Sequence, residues 1–219
     1  MTRLKTVALC LIFALAISAA AASSASALPE WSGPFPKPFN SKSGATLLET
    51  VGGTKVKCKS DVNVGEITGP NAGFVQVFFK GCETHKFPCT SPGAAGGELK
   101  TLPLTTTLGY ISRVPKVVGL DLANPAGAIV TEFQCVNILA VIRGSVIGRI
   151  TPVNKAVKPG GHFVVKFTQS KGAQNPSSFA GMPVDILETS LNKGPFEPTG
   201  LMSTDALAFL GAAPVTIKA

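Results

Sequence analysis

Four residue types that could do chemistry fall within nine positions, Gly81-Cys82-Glu83-Thr84-His85-Lys86-Phe87-Pro88-Cys89. Three readings compete. Cys82, His85 and Cys89 have a C-x2-H-x3-C spacing that supplies three of the four ligands zinc prefers, provided both cysteines are thiolates. A Cys–His pair makes a nucleophile and its base, provided one thiol is free and of low pKa. The third reading is a loop tied shut by a disulfide, which removes both other options.

The N-terminus decides between them. Arg3 and Lys5 precede a short apolar run, Val7 to Ile17, and small residues lead to Ala25-Ser26-Ala27. This is the layout of a secretory signal peptide, 1–27, cleaved after Ala27. The run is short for a span, so no membrane-spanning segment is expected after cleavage, and Cys10 lies inside the run rather than at a lipobox. Cleavage removes Arg3, Lys5 and Cys10, which lowers the formal net charge from +8 to +6 and leaves four cysteines. An even cysteine count in an exported chain reads as two disulfides. Cys82 with Cys89 is the expected local bridge, and Cys58 with Cys135 the long-range one. Sequence leaves all three pairings open. Neither a metal site nor a free nucleophile is expected, and no cofactor.

The elements that hold this loop read as strands. Thr54–Lys59 alternates, with lysines on one side and Val56 and Cys58 on the other. Gly52-Gly53 joins it to Ala45–Val51 as a hairpin. Gly65–Thr68 and Phe74–Lys80 flank a Gly-Pro-Asn-Ala-Gly turn, and Phe74–Phe79, apolar on both faces, reads as a central strand. Thr105–Ser112 and Lys116–Leu122 form another hairpin. Ala128–Cys135, Ile138–Ile150 bent near Gly144 and Gly148, His162–Thr168, Asp185–Leu191, Thr204–Phe209 and Pro214–Lys218 complete the set. Asp205–Gly211 is the best helix candidate, and it is short. The expectation is an all-β chain, a single antiparallel domain of about ten strands in hairpins over 44–219. A meander must hide its edges, either as a closed barrel or as two packed sheets, and the barrel is slightly favoured over the sandwich.

Leu28–Ser43, with four prolines and the only tryptophan, reads as an extended lead-in. Trp31, Phe35 and Phe39 are expected to pack over one end of the domain; the alternative is an exposed peptide that recruits a partner.

LPEWSGPFPKPF, GEITGP, the cysteine loop running into SPGAAGGE, LGYI with VGLDL, GSVIGRITPVNK, and LETS with GPFE occur in this order. On these motifs the chain resembles a family of uncharacterised exported all-β proteins from high-GC Gram-positive soil bacteria. The resemblance implies export and one β domain. It implies no catalytic residue, cofactor or ligand.

Other chemistry is thin. Asp121, Glu132, Asp185 and Glu188 are candidate hydrolase carboxylates, but no spacing marks a pair. His85 and His162 are the only histidines, and Gly144–Gly148 is not a G-x-S-x-G elbow. The charge distribution says more. Phe133 to Val184 holds no acid but contains Arg143, Arg149, Lys155, Lys158, Lys166 and Lys171. If they converge, they form a patch for an anionic envelope polymer or lipid headgroup. Nucleic acid is not expected, because stacking aromatics are scarce there. The functional expectation is a secreted, non-enzymatic binding or structural domain at or near the cell envelope. One alternative is a barrel carrying a small apolar ligand among Phe74, Phe78, Phe163 and Phe167. The other is an extracellular hydrolase with a dispersed site.

Overall fold

Short alternating segments separated by glycine-rich turns pair with their chain neighbours, and here the pairing closes on itself. The structure is a computed structural model describing residues 27–124 and 128–219. The expected leader, 1–27, therefore lies outside the described residues apart from Ala27. The described residues contain nineteen strands and no helix.

One ring of eight antiparallel strands consists, in spatial order, of β2 (Lys37–Ser43), β5 (Ser60–Gly69), β6 (Ala72–Lys80), β10 (Leu104–Arg113), β11 (Lys116–Ala123), β14 (Ser145–Thr151), β15 (Phe163–Ser170) and β18 (Phe196–Phe209), which returns to β2. A second ring closes in the same way through β3 (Thr46–Thr50), β4 (Lys55–Cys58), β7 (Glu83–Thr84), β8 (Phe87–Thr90), β12 (Ile129–Cys135), β13 (Ile138–Arg143), β17 (Leu187–Leu191) and the first half of β18. Both rings follow one order along the chain. The molecule is thus a single up-and-down barrel of eight long staves, most of them interrupted at a waist. Breaks at Gly44, Lys59, Gly81 and Gly144 separate the halves, and only β18 runs through both unbroken. Closure leaves the eight ring strands without a free edge, and the barrel rather than the sandwich is the form found. The expected ten strands become nineteen because the staves are broken, and the helix candidate at Asp205–Gly211 lies mostly in β18. Two short strands, β9 (Glu98–Lys100) and β16 (Ala173–Asn175), extend the wall outside the rings.

Alternation places Leu104, Val118, Leu120, Val146, Ile150, Phe163, Val165 and Phe167 inside the first ring. Phe74 and Phe78, expected inside, face outward, and Val75 and Val77 take the interior. A strand apolar on both faces carries no parity signal, so the neighbouring strands decide its orientation. The lead-in also needs correction. Lys37–Ser43 is a full wall strand between β18 and β5. Pro38 is tolerated because it sits at the strand's start, where its carbonyl still accepts Leu210 N–H at 2.9 Å.

Leu28–Pro36 does behave as a lead-in that closes one end. β1 (Glu30–Trp31) pairs with β19 (Ile217–Lys218). Trp31 is 3 % exposed and meets Phe163 and Phe209 edge to face at 5.2 and 5.4 Å. Removing the indole leaves a void under the plug. Trp31→Ala should cost about 3–5 kcal/mol in denaturant unfolding; a loss below about 1 kcal/mol would mean the plug is not part of the core.

Candidate functional site

The Cys82–Cys89 loop folds as the β7–β8 hairpin, with His85 and Lys86 at its tip in left-handed conformations. The bridges differ from the expected pairing: Cys58 bonds Cys82, and Cys89 bonds Cys135. The register explains why. Lys57 pairs Glu83, Cys89 N donates to Cys82 O, and Cys135 pairs Cys89. All four cysteines therefore lie in one row across four adjacent staves, in the order 58, 82, 89, 135. A Cys82–Cys89 bridge would strand Cys58 and Cys135 three strand spacings apart, about 14 Å, far beyond disulfide reach. Pairing the outer cysteines with their neighbours uses all four. All are buried. Cys135 faces inward with Phe133, whereas Ile129 is turned outward by a bulge between Ile129 and Thr131. The loop thus holds two interlocked staples, and Glu83, His85 and Lys86 are displayed on its exposed side.

The six cationic residues separate into groups. Arg143 is occupied: its guanidinium reaches Glu188 Oε2 at 2.8 Å and lies 3.8 Å from the Phe196 ring. Lys171 sits on the β15–β16 turn, whose Gly172 is packed against the Thr50–Val51 backbone. The other four lie on β14, β15 and the loop between them. Arg149 and Lys166 are direct cross-strand partners on the outer face of β14 and β15. Lys155 and Lys158 are in the loop joining those strands. All four are exposed, and among the described residues none makes an ion pair. The acid-free run therefore supplies one cross-strand cationic pair, Arg149 with Lys166, and two exposed lysines in the connecting loop.

The candidate carboxylates fare differently. Glu132 points to solvent and Glu188 is held by Arg143. Asp121 and Asp185 approach each other outside the barrel, and Gly144–Gly148 is strand and kink.

No spacing pointed to the buried pair, Asp61 on β5 and Asp205 on β18. Both register with Ser43 of the intervening β2. They are 2 % and 6 % exposed, facing the barrel interior. Ser43 Oγ donates to Asp61, Asn63 Nδ2 donates to Asp61 Oδ1 at 3.0 Å and to Ser41 Oγ at 2.6 Å, and Ser203 Oγ donates to Asp205 Oδ1 at 3.1 Å. Burial, followed by the neighbouring Asp61 charge, pushes the Asp205 pKa up to about 8. Burial also raises Asp61, against the hydrogen bonds from Ser43, Asp205 and Asn63. Burial side by side disfavours two charges, so the pair favours the state that keeps one proton. Beside them is a void of about 20 Å³, with room for one water.

A larger void, about 70 Å³, lies at the waist among Leu48, Val56, Phe79, Phe133, Ile142 and Leu201. Its lining is almost wholly apolar.

No family model, curated protein or solved structure matches this chain. Its function must therefore be argued from the barrel itself.

Proposed function

We propose that this protein is a non-enzymatic binding domain exported from the cytoplasm, and that it meets an anionic polymer of the cell envelope through the outer face of β14 and β15. The carrying observation is the Arg149–Lys166 pair. Like charges directly opposite on neighbouring strands destabilise a sheet. Among the described residues no carboxylate pairs with either, and Lys155 and Lys158 are exposed in the loop that joins the two strands. A polyanion relieves that repulsion and gains from all four charges at once. The two disulfides fit an oxidising compartment.

The waist void weighs against the carrier alternative. It is about 70 Å³, less than half of the roughly 150 Å³ that accommodates benzene. Against the hydrolase alternative stands the burial of Asp61 and Asp205, which lie in the barrel rather than in a cleft.

Cosedimentation with isolated cell envelope tests the proposal. Joint replacement of Arg149, Lys155, Lys158 and Lys166 by glutamine should weaken binding at least about tenfold. Replacing Arg143 and Lys171 in the same way should leave it nearly intact. Equal binding by both variants would refute the proposal.

A further inference from the structure

The barrel's outer wall carries a second pair of carboxylates, on the side crossed by residues 176–186. This strap leaves β16, runs over β10, β11 and β14, and enters β17. Phe179 lies on Gly109, where a Cβ would come within 2.6 Å of its ring, and Ala180 N donates to Tyr110 O at 2.7 Å. Asp185 N donates to Ser177 O at 2.9 Å, closing the strap on itself. At its far end the Ile186 carbonyl rests on Gly144, whose φ is +90° and where a Cβ would stand 2.1 Å away. The strap is therefore pressed onto the wall at both ends.

Asp121 of β11 and Ser145 of β14 lie between those contacts. Their strands are paired through Asp121–Ile147 and Ala123–Ser145. Ser145 is 1 % exposed, yet its Oγ has no hydrogen-bond partner. Asp121 Oδ1 is also buried without one. The hydroxyl is near enough to favour the Asp121 charge but does not close a bond of normal geometry. Asp185 brings a second carboxylate from the strap, and the Leu122 N–H also favours the Asp121 charge. Among the described residues no cationic side chain pairs with Asp121 or Asp185. A desolvated carboxylate beside another must take up positive charge, as a proton or as a metal ion. Two unpartnered oxygens, one carboxylate and one hydroxyl, are hard donors of the kind calcium accepts.

We propose that Asp121, Ser145 and Asp185 form a binding site for a divalent cation of the calcium type, which ties the strap to the barrel wall. Among the described residues no group of three His, Cys, Asp or Glu side chains forms a metal cage. Water must therefore fill the remaining positions, and affinity falls in the weak class of extracellular modules, with dissociation constants of roughly 0.1–1 mM.

The test is thermal melting of the intact protein in a CaCl2 titration, with MgCl2 and ionic-strength-matched NaCl in parallel. Calcium should raise the melting temperature saturably, by about 3–6 °C at ten times the dissociation constant. Asp121→Asn and Ser145→Ala should lose the shift. Asp185→Asn, at an exposed position that should not affect folding, should weaken it. Glu132→Gln, an exposed acid elsewhere on the wall, should keep it. A calcium response no larger than that of NaCl, or one unchanged in all three site variants, overturns the proposal. So does a protein that ignores calcium and is stabilised by Asp121→Asn, because the occupant is then a proton.

Discussion

Asp205→Asn should make the barrel more stable at pH 9 while leaving it nearly unchanged at pH 5. The folded pKa of Asp205 is about 8, against an ordinary value of 3.8, and Asp61 is raised in the same direction. The folded state therefore holds a proton that the unfolded chain releases above its ordinary carboxylate pKa. That contribution to stability is fully present below about pH 4 and is lost as pH rises through about 8. At pH 9 the native barrel must bury two charges side by side. Asparagine supplies the donor that protonated Asp205 supplies, and it does not titrate. Melting curves from pH 4 to 9 should fall steeply for the native sequence and much less for the variant. The gap should reach on the order of 3–5 kcal/mol at the alkaline end. Parallel curves would mean that the pair does not hold its proton in the fold.

Breaking the Cys89–Cys135 bridge should be the most damaging disulfide change. It closes a separation of 46 residues, against 24 for Cys58–Cys82. The loop-entropy model gives about 4 kcal/mol for the longer and about 3.5 for the shorter. Cys89→Ala with Cys135→Ala should lower unfolding stability by the larger amount. Peptide mapping of the unreduced protein should recover Cys58 linked to Cys82 and Cys89 linked to Cys135. Recovery of a Cys82–Cys89 peptide would contradict the row of four cysteines described above.

The outcome of the sequence reading follows how local each signal is. The hairpins were readable because Gly52-Gly53 and Gly69–Gly73 mark tight turns between segments that pair side by side. Closure was only half readable, because a meander can hide its edges either in a closed barrel or in two packed sheets. Pairing among the cysteines was not, because it depends on register across four staves. Local hairpin geometry permits the Cys82–Cys89 contact that the long-range geometry rejects.

The buried carboxyl pair was hidden by an inverted pattern. In Ser60–Gly69, alternation suggests Val62 and Val64 inside. The structure exposes them, at 43 % and 55 %, and buries Asp61 and Asn63. Ser41, Ser43, Ser203 and Asp205 on the next two strands satisfy that polar face, and nothing local announces them. The cationic patch was half readable. Absence of acids over 133–184 marked the region, but only strand register sets Arg149 beside Lys166, and only the folded chain gives Arg143 to Glu188.

The central claim is that β14, β15 and their connecting loop form an anion-binding face. The most direct measurement is a titration of the isotope-labelled protein with polyglycerol phosphate, followed by amide chemical shifts. The account predicts saturable shifts clustered at Arg149, Lys155, Lys158, Lys166 and their strand neighbours, fading as salt is raised from about 50 to 200 mM. Shifts that are absent, scattered over the barrel, or centred on Arg143 and Lys171 would contradict it.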